Sequence, residues 1–201
     1  SSDGKFKRIS FSEITDISNR STTLLKLKDN ITLKSCFLCE ENSQLYIISN
    51  FGRIIKITIT EKNFPYMGKL AQGTNIIKLF PNENIIGSIN LQEDQNKDLV
   101  LITNKGYFIK HKTKEIKTLK KGELGSMTIN FKDNNKRNDR IINCFINNKY
   151  VYIKTSKERY EKLDRDQIIN SLYKKEKKLN IKLNDNEFIE STLSMILPEN
   201  N

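Results

Sequence analysis

Apolar residues in this chain fall in short continuous runs, not in helical stripes. Leu45-Tyr46-Ile47-Ile48, Leu99-Val100-Leu101-Ile102 and Tyr150-Val151-Tyr152-Ile153 are the clearest. A run of that length bounded by turn residues predicts a strand buried on both faces. Each run ends in a turn: Ser49-Asn50-Phe51-Gly52, Thr103-Asn104-Lys105-Gly106 and Thr155-Ser156-Lys157-Glu158. Glycine at the last position suits a tight hairpin that needs a positive φ. The copy with Glu158 there is expected to turn differently. A second strand follows, at residues 4–8, 52–56, 106–110 and 158–162, and its last residue is always basic: Arg8, Lys56, Lys110 and Lys162.

These elements recur with a fixed period. Leu24-Leu25-Lys26-Leu27 returns as Ile76-Ile77-Lys78-Leu79, as Thr128-Ile129-Asn130-Phe131 and as Asn180-Ile181-Lys182-Leu183, so that Leu27, Leu79, Phe131 and Leu183 are 52 positions apart. The pattern reads each of these as a strand, and residues 33–39, 85–91, 140–146 and 188–195 as the strand that closes each unit. Four short strands per unit at a period near fifty match a β-propeller blade. One such unit cannot bury both faces, whereas stacked units can. The fold class predicted is therefore all-β. It is a propeller or pinwheel-like repeat in a single domain, with four four-stranded blades at about 1–42, 43–96, 97–147 and 148–201. The first unit begins at its second strand, which points to an incomplete or open ring and to a piece of a longer protein. Residues 157–178 are rich in good helix formers; a strand is expected at 160–163 and a short helix around 166–175.

Charge changes the picture next. The chain has 35 Lys plus Arg against 24 Asp plus Glu, a net charge of +11. That sign attracts polyanions. The excess of lysine over arginine suits point contact with phosphates better than bidentate reading of guanine edges. Residues 103–121 hold Lys105, Lys110, Lys112, Lys114, Lys117, Lys120 and Lys121 against Glu115 alone. Lysine also blocks edge-to-edge pairing of strands, so the same density fits a solvated outer strand. No apolar run approaches the length of a membrane-spanning helix, about 20 residues, and no membrane partner is expected. Three cysteines, an odd number in a chain of this size, fit a reducing compartment.

Catalytic and metal chemistry find little to stand on. Cys36 and Cys39 have metal-ligand spacing, but within a strand they point to opposite faces, and no second pair accompanies them. His111 stands among lysines without a nucleophile partner and is expected to be exposed. No phosphate-binding glycine loop occurs, so no cofactor is expected.

The repeated columns do match a known pattern. An apolar-apolar-Thr/Ser-x-x-Gly-x-x-Lys/Arg hairpin, a basic-x-x-x-Gly turn and an Ile-x-Lys-Leu segment together resemble the C-terminal domain of the DNA gyrase and topoisomerase IV A subunits. The resemblance runs through essentially the whole chain and is clearest over residues 45–91 and 99–146. It implies a curved propeller that binds double-stranded DNA without sequence specificity and bends or wraps it around a basic rim. The rim column corresponds to Arg8, Lys56, Lys110 and Lys162, and the basic turns to Lys69…Gly73 and Lys121…Gly125. The family's signature heptapeptide, Gln-Arg-Arg-Gly-Gly-Lys-Gly, has its nearest counterpart in Leu119-Lys120-Lys121-Gly122-Glu123-Leu124-Gly125. Lys120, Lys121, Gly122 and Gly125 are kept, while the Gln, the second Gly and the later Lys are not, which looks more like topoisomerase IV or a diverged paralogue. Amides of this glycine turn are expected to add donors to a phosphate.

The resemblance further implies that cleavage chemistry lies elsewhere in an ATP-dependent type IIA topoisomerase. The family's catalytic tyrosine belongs to a separate N-terminal part, and none of the seven tyrosines here carries its surrounding motif. Implied partners are the ATPase B subunit together with the remainder of the full-length topoisomerase protein to which such a domain belongs. The implied location is the cytoplasm with the nucleoid, or alternatively an organelle. The rival function is a propeller scaffold for protein interaction; the absence of tryptophan weakens a WD-type version of it.

Overall fold

The computed structural model describes residues 1–15, 22–129, 131, 138–146 and 150–195. In chain order the elements are β1 (Lys5–Phe6), α1 (Ser12–Thr15), β2 (Gln44–Ser49), β3 (Arg53–Thr58), β4 (Thr74–Asn75), β5 (Ile85–Leu91), β6 (Asp98–Thr103) and β7 (Tyr107–Lys112). There follow β8 (Ser126–Met127), β9 (Ile141–Ile146), β10 (Tyr150–Thr155), β11 (Tyr160–Lys162), α2 (Arg165–Ile169), β12 (Lys177–Lys178) and β13 (Ile189–Met195). The strands form four sheets, ordered β1-β4, β5-β2-β3-β8, β12-β7-β6-β9 and β11-β10-β13. Every ladder is antiparallel. No described helix is long and apolar enough to cross a membrane.

The long strands are apolar at every position because each sheet is covered on both sides. Side chains alternate across a strand, and the cores follow that alternation. Leu45 and Ile47 of β2 pack with Ile55, Ile57 and Ile76 in one cluster, which Phe6 of the first unit joins. Tyr46 and Ile48 of the same strand pack on Leu99, Leu101 and Ile109 of the next unit. Val100 and Ile102 then face Val151, Ile153 and Ile168 of the unit after that. Hydrophobic cores thus lie between successive units, as stacking of repeats requires.

Two corrections concern which residues build a sheet. Expected blades were contiguous and four-stranded; the sheets instead have two, four, four and three strands. The outer strand in each of the first three comes from the following unit: β4 pairs β1, β8 pairs β3 and β12 pairs β7. Each hairpin is therefore clasped by a segment from its successor, and unit boundaries in sequence do not coincide with sheets. The recurring Ile-x-Lys-Leu segment is also not a strand. The ladder stops at Asn75, and Ile76 and Ile77 are buried in the inter-unit core. Asn130, in the third copy, lies outside the described residues.

Residues 33–39 form no strand either. Their counterparts β5, β9 and β13 all pair with an apolar strand of their own unit. A cavity of about 260 Å³ adjoins residues 33–37, lined by Phe6, Leu24, Leu33, Phe37, Ile47 and Ile85 among others. Cys36 is exposed while Cys39 is half-buried beside the core, as i and i+3 positions of extended chain would be.

The turn at Glu158 does not differ from the others. Gly52, Gly106 and Glu158 have φ of 78°, 81° and 56°. Their amides donate to Ser49, Thr103 and Thr155 carbonyls at 3.0, 3.1 and 2.9 Å. The next amide in each, Arg53, Tyr107 or Arg159, donates to the Ser49, Thr103 or Thr155 hydroxyl. Glu158 accepts the left-handed conformation, at a cost of roughly 1–2 kcal/mol, because the repeat dictates the turn. The helix near residue 166 is shorter than expected. Asp164 caps it by accepting from the Asp166 amide at 2.9 Å, and it ends before the chain is drawn into the clasp on β7.

Candidate nucleic-acid interface

The junctions between units are built from the same three main-chain contacts each time. Gly4, Gly52 and Gly106 carbonyls accept from Ile76, Thr128 and Leu179 amides at 2.8–2.9 Å. Ser2, Asn50 and Asn104 carbonyls accept from Ile85, Ile141 and Ile189. Arg8, Lys56 and Lys110 carbonyls accept from Met67, Leu119 and Lys174 at 2.9, 2.8 and 2.8 Å. The basic residue ending each second strand therefore occupies an equivalent place in the first three units.

Their side chains are not equivalent in exposure. Arg8 is buried, bonded to the Glu41 carboxylate and the Tyr66 hydroxyl at 2.9 Å each, with its guanidinium 4.1 Å from the Tyr66 ring centre. Lys110 is only 2% exposed; its ammonium donates to the Ile169 carbonyl at 2.7 Å and sits 4.4 Å from the Tyr173 ring. Burial holds the Lys110 pKa below the ordinary lysine value. Lys56 is half-buried over the Tyr46 ring and is lowered for the same reason. Lys162 alone of the four is exposed. Arg8, Lys56 and Lys110 thus pack as amphipathic side chains against an aromatic ring, and of these three Arg8 forms an ion pair.

Exposed cationic surface lies on the clasping segments instead. Lys117, Lys120 and Lys121 are exposed around Leu119, the residue bonded to Lys56. Lys174, Lys175, Lys177 and Lys178 are exposed at and after the residue bonded to Lys110. Lys69, partly buried and 3.8 Å from Glu13, lies two positions after the residue bonded to Arg8, as Lys121 does after Leu119. The first two junctions thus repeat a basic group at one register, while the third has Glu176 there and places its lysines on either side. Lys105 and Lys114 add exposed charge nearby in sequence. Lys112 is tied to Asp98 at 3.0 Å, and bonds to Tyr173 and Asp98 raise its pKa.

The four lysines of residues 174–178 are not among the contact residues expected from the sequence. Of the acidic residues in that unit, Glu161 pairs with Arg159, while Lys174 is itself paired with Glu115. Lys175 and Lys177 form no ion pair with a described residue, and neither do Lys105, Lys114, Lys117 and Lys120.

The glycine turn at 119–125 is committed inward. The Gly122 amide donates to Ile76 at 2.6 Å, the Glu123 amide to Lys120, and the Glu123 carboxylate accepts from the Lys120 amide at 3.0 Å. The Gly122 and Glu123 amides are thus occupied within the fold. Gly125 is required for another reason: at φ 81° a Cβ would lie 2.9 Å from the Ile54 carbonyl oxygen of the clasped strand. Gly73 meets the Phe6 carbonyl in the same way. His111 is buried, not exposed, and burial lowers its pKa.

Comparison with known proteins bears on this arrangement. A family model, DNA gyrase C-terminal domain, beta-propeller, matches residues 1–39, 43–91 and 97–148. The DNA gyrase A subunit of Clostridium acetobutylicum is 27% identical over 136 residues, which is 65% of this chain and 16% of that protein. A crystal structure of the C-terminal domain of DNA topoisomerase IV superposes with a TM-score of 0.75 at 18% identity, covering 98% of this chain and 59% of that one. The DNA gyrase A C-terminal domain does so at 0.72 and 14% identity, covering 95% and 62%. The chain thus spans less than two thirds of either solved domain, and at such identities those two matches speak to fold alone. The family model accounts for most of the sequence, and the chain belongs to the DNA gyrase C-terminal domain β-propeller family.

Proposed function

We propose that this domain binds double-stranded DNA through its phosphates, along the lysines of the clasping segments, and bends the duplex across successive units. The supporting observation is that the clasping segments of the second and third junctions each carry several exposed lysines, Lys117, Lys120 and Lys121 in one and Lys174, Lys175, Lys177 and Lys178 in the other. A phosphate track needs cations at repeated spacing and no base-reading groups, and lysine without bidentate arginine forks fits that need. Arg8 and Lys110 hold the scaffold; Lys117, Lys120, Lys121, Lys175 and Lys177 make the contact, with Lys105, Lys114, Lys69 and Lys162 flanking. The domain acts as a non-catalytic accessory within a type IIA topoisomerase, presenting DNA to cleavage and ATPase parts carried elsewhere in that assembly. On this reading it works on nucleoid DNA in the cytoplasm or on organellar DNA.

Titration of unrelated duplexes of equal length at several salt concentrations tests the proposal. Log affinity should fall by about 0.9 per phosphate neutralised for each decade of salt, with little difference between sequences. A salt-independent or strongly sequence-dependent affinity contradicts it.

A further inference from the structure

The clasping turns share a form and differ in chemistry. At the first junction, where β4 clasps β1, the Ala71 amide donates to the Gly68 carbonyl at 3.1 Å, which puts Lys69 and Leu70 at the tip of a turn. At the second, the Glu123 amide donates to the Lys120 carbonyl at 3.3 Å, and the tip is Lys121 and Gly122. Leu70, Gly122 and Lys177 are each the third residue after the one whose amide bonds the Arg8, Lys56 or Lys110 carbonyl. All three are exposed, and a Cβ on Gly122 would meet nothing within 4 Å. The second junction has a further unit on either side, so this position faces solvent inside the stack as well as near its end.

Leu70 is 85% exposed, more than any other large apolar side chain among the described residues. It is also held in place. The Lys7 ammonium donates to the Lys69 carbonyl at 2.7 Å, the Met67 amide to the Arg8 carbonyl, and Arg8 fixes the Tyr66 hydroxyl. Single exposed apolar residues are common on protein surfaces. Leu70 differs from those in standing on a fixed turn tip, next to a lysine, where the following junctions present theirs.

Given the phosphate contact proposed above, on which this rests, we propose that Leu70 packs on a deoxyribose at the edge of the minor groove and so selects DNA over RNA. Lysine and leucine are consecutive at the tip, as phosphate and sugar are consecutive along a strand. Lys69 meets the phosphate and Leu70 the apolar C–H face of the neighbouring sugar. In an RNA duplex the minor groove displays 2′-hydroxyls, which an apolar side chain cannot bond and would strip of water. Lysines alone do not make this distinction, because both duplexes carry the same phosphates.

Affinities for a DNA duplex and an RNA duplex of the same sequence, over a range of salt concentrations, test this. The chain should bind the DNA more tightly. Leu70→Ala, a surface change whose folding circular dichroism verifies, should weaken DNA binding on the order of tenfold, the scale of withdrawing most of one leucine side chain from water. It should leave RNA affinity and both salt slopes unchanged, and Leu70→Ile should restore the preference. Lys120→Ala should instead weaken both duplexes alike and make both slopes shallower. Equal affinity of the parent for the two duplexes, or a Leu70→Ala variant that keeps the parent's preference, overturns this role for Leu70 while phosphate binding stands. Salt-independent binding of both duplexes overturns phosphate binding and the leucine contact together.

Discussion

The Arg53 guanidinium grips the Glu83 carboxylate with two charge-assisted bonds, Nε to Oε1 at 2.8 Å and Nη2 to Oε2, with both side chains buried. The same guanidinium donates to the Lys78 carbonyl at 2.8 Å and to the Leu124 carbonyl of the clasping segment. Arg159 and Glu187 repeat the pair in the last unit, with Lys182 in the place of Lys78. One ion pair thus locks the hairpin, the closing turn and the clasp together.

Breaking that pair on one side should be severe. Glu83→Ala leaves Arg53 buried and unmatched, which typically costs about 3–5 kcal/mol. Urea unfolding should show the midpoint moving down sharply, and Arg53→Ala should do the same. Lys120→Ala, at an exposed site, should stay within about 0.5 kcal/mol.

Acid should unfold the domain in two stages. Burial holds the His111 pKa below its ordinary value of 6.5. The unfolded chain therefore takes up that proton first, and stability begins to fall as pH drops through about 6.5. Bonds from Arg159, the Thr155 hydroxyl and the Asn184 amide hold Glu187 down at about 2, from 4.5. The stability it confers is full above 4.5 and is lost as pH falls from there toward 2. Denaturant midpoints measured across the acid range from neutral pH downward should show both declines. His111→Gln should flatten the first and leave the second.

Two turn positions should respond with opposite signs. Glu158→Gly relieves a left-handed residue and is expected to be neutral or stabilising by up to about 1 kcal/mol, part of the gain being offset by the freer unfolded chain. Gly125→Ala keeps a positive φ and drives a methyl to 2.9 Å from the Ile54 carbonyl oxygen, so it should destabilise. Thermal melts of the two variants beside the parent chain distinguish them.

The period, the buried strands and the hairpins are legible in the sequence because they are local. Alternation across a doubly covered strand writes Leu99-Val100-Leu101-Ile102 as an apolar run whichever unit lies beside it. The exchange of clasping strands is not legible: residues 74–79 carry the same pattern whether they pair with their own hairpin or with the preceding one. The basic column failed as a list of exposed groups for a related reason. What covers Arg8 and Lys110 is Tyr66 and Tyr173, each from the following unit, and charged side chains are so seldom buried that sequence alone argues for exposure. Glu158 shows the converse, a residue type with no turn preference held in place by its neighbours.

The division of labour between clasp lysines and column residues has a direct test. Lys120, Lys121, Lys175 and Lys177 would be replaced by alanine together, and the salt dependence of duplex binding compared with that of the parent and of Lys110→Ala. The account predicts that the fourfold variant remains as stable as the parent while its slope of log affinity against log salt becomes shallower by up to about 3.6. Lys110→Ala should lose stability and keep the parent slope. An unchanged slope in the fourfold variant, or a shallower one in Lys110→Ala alone, would contradict it.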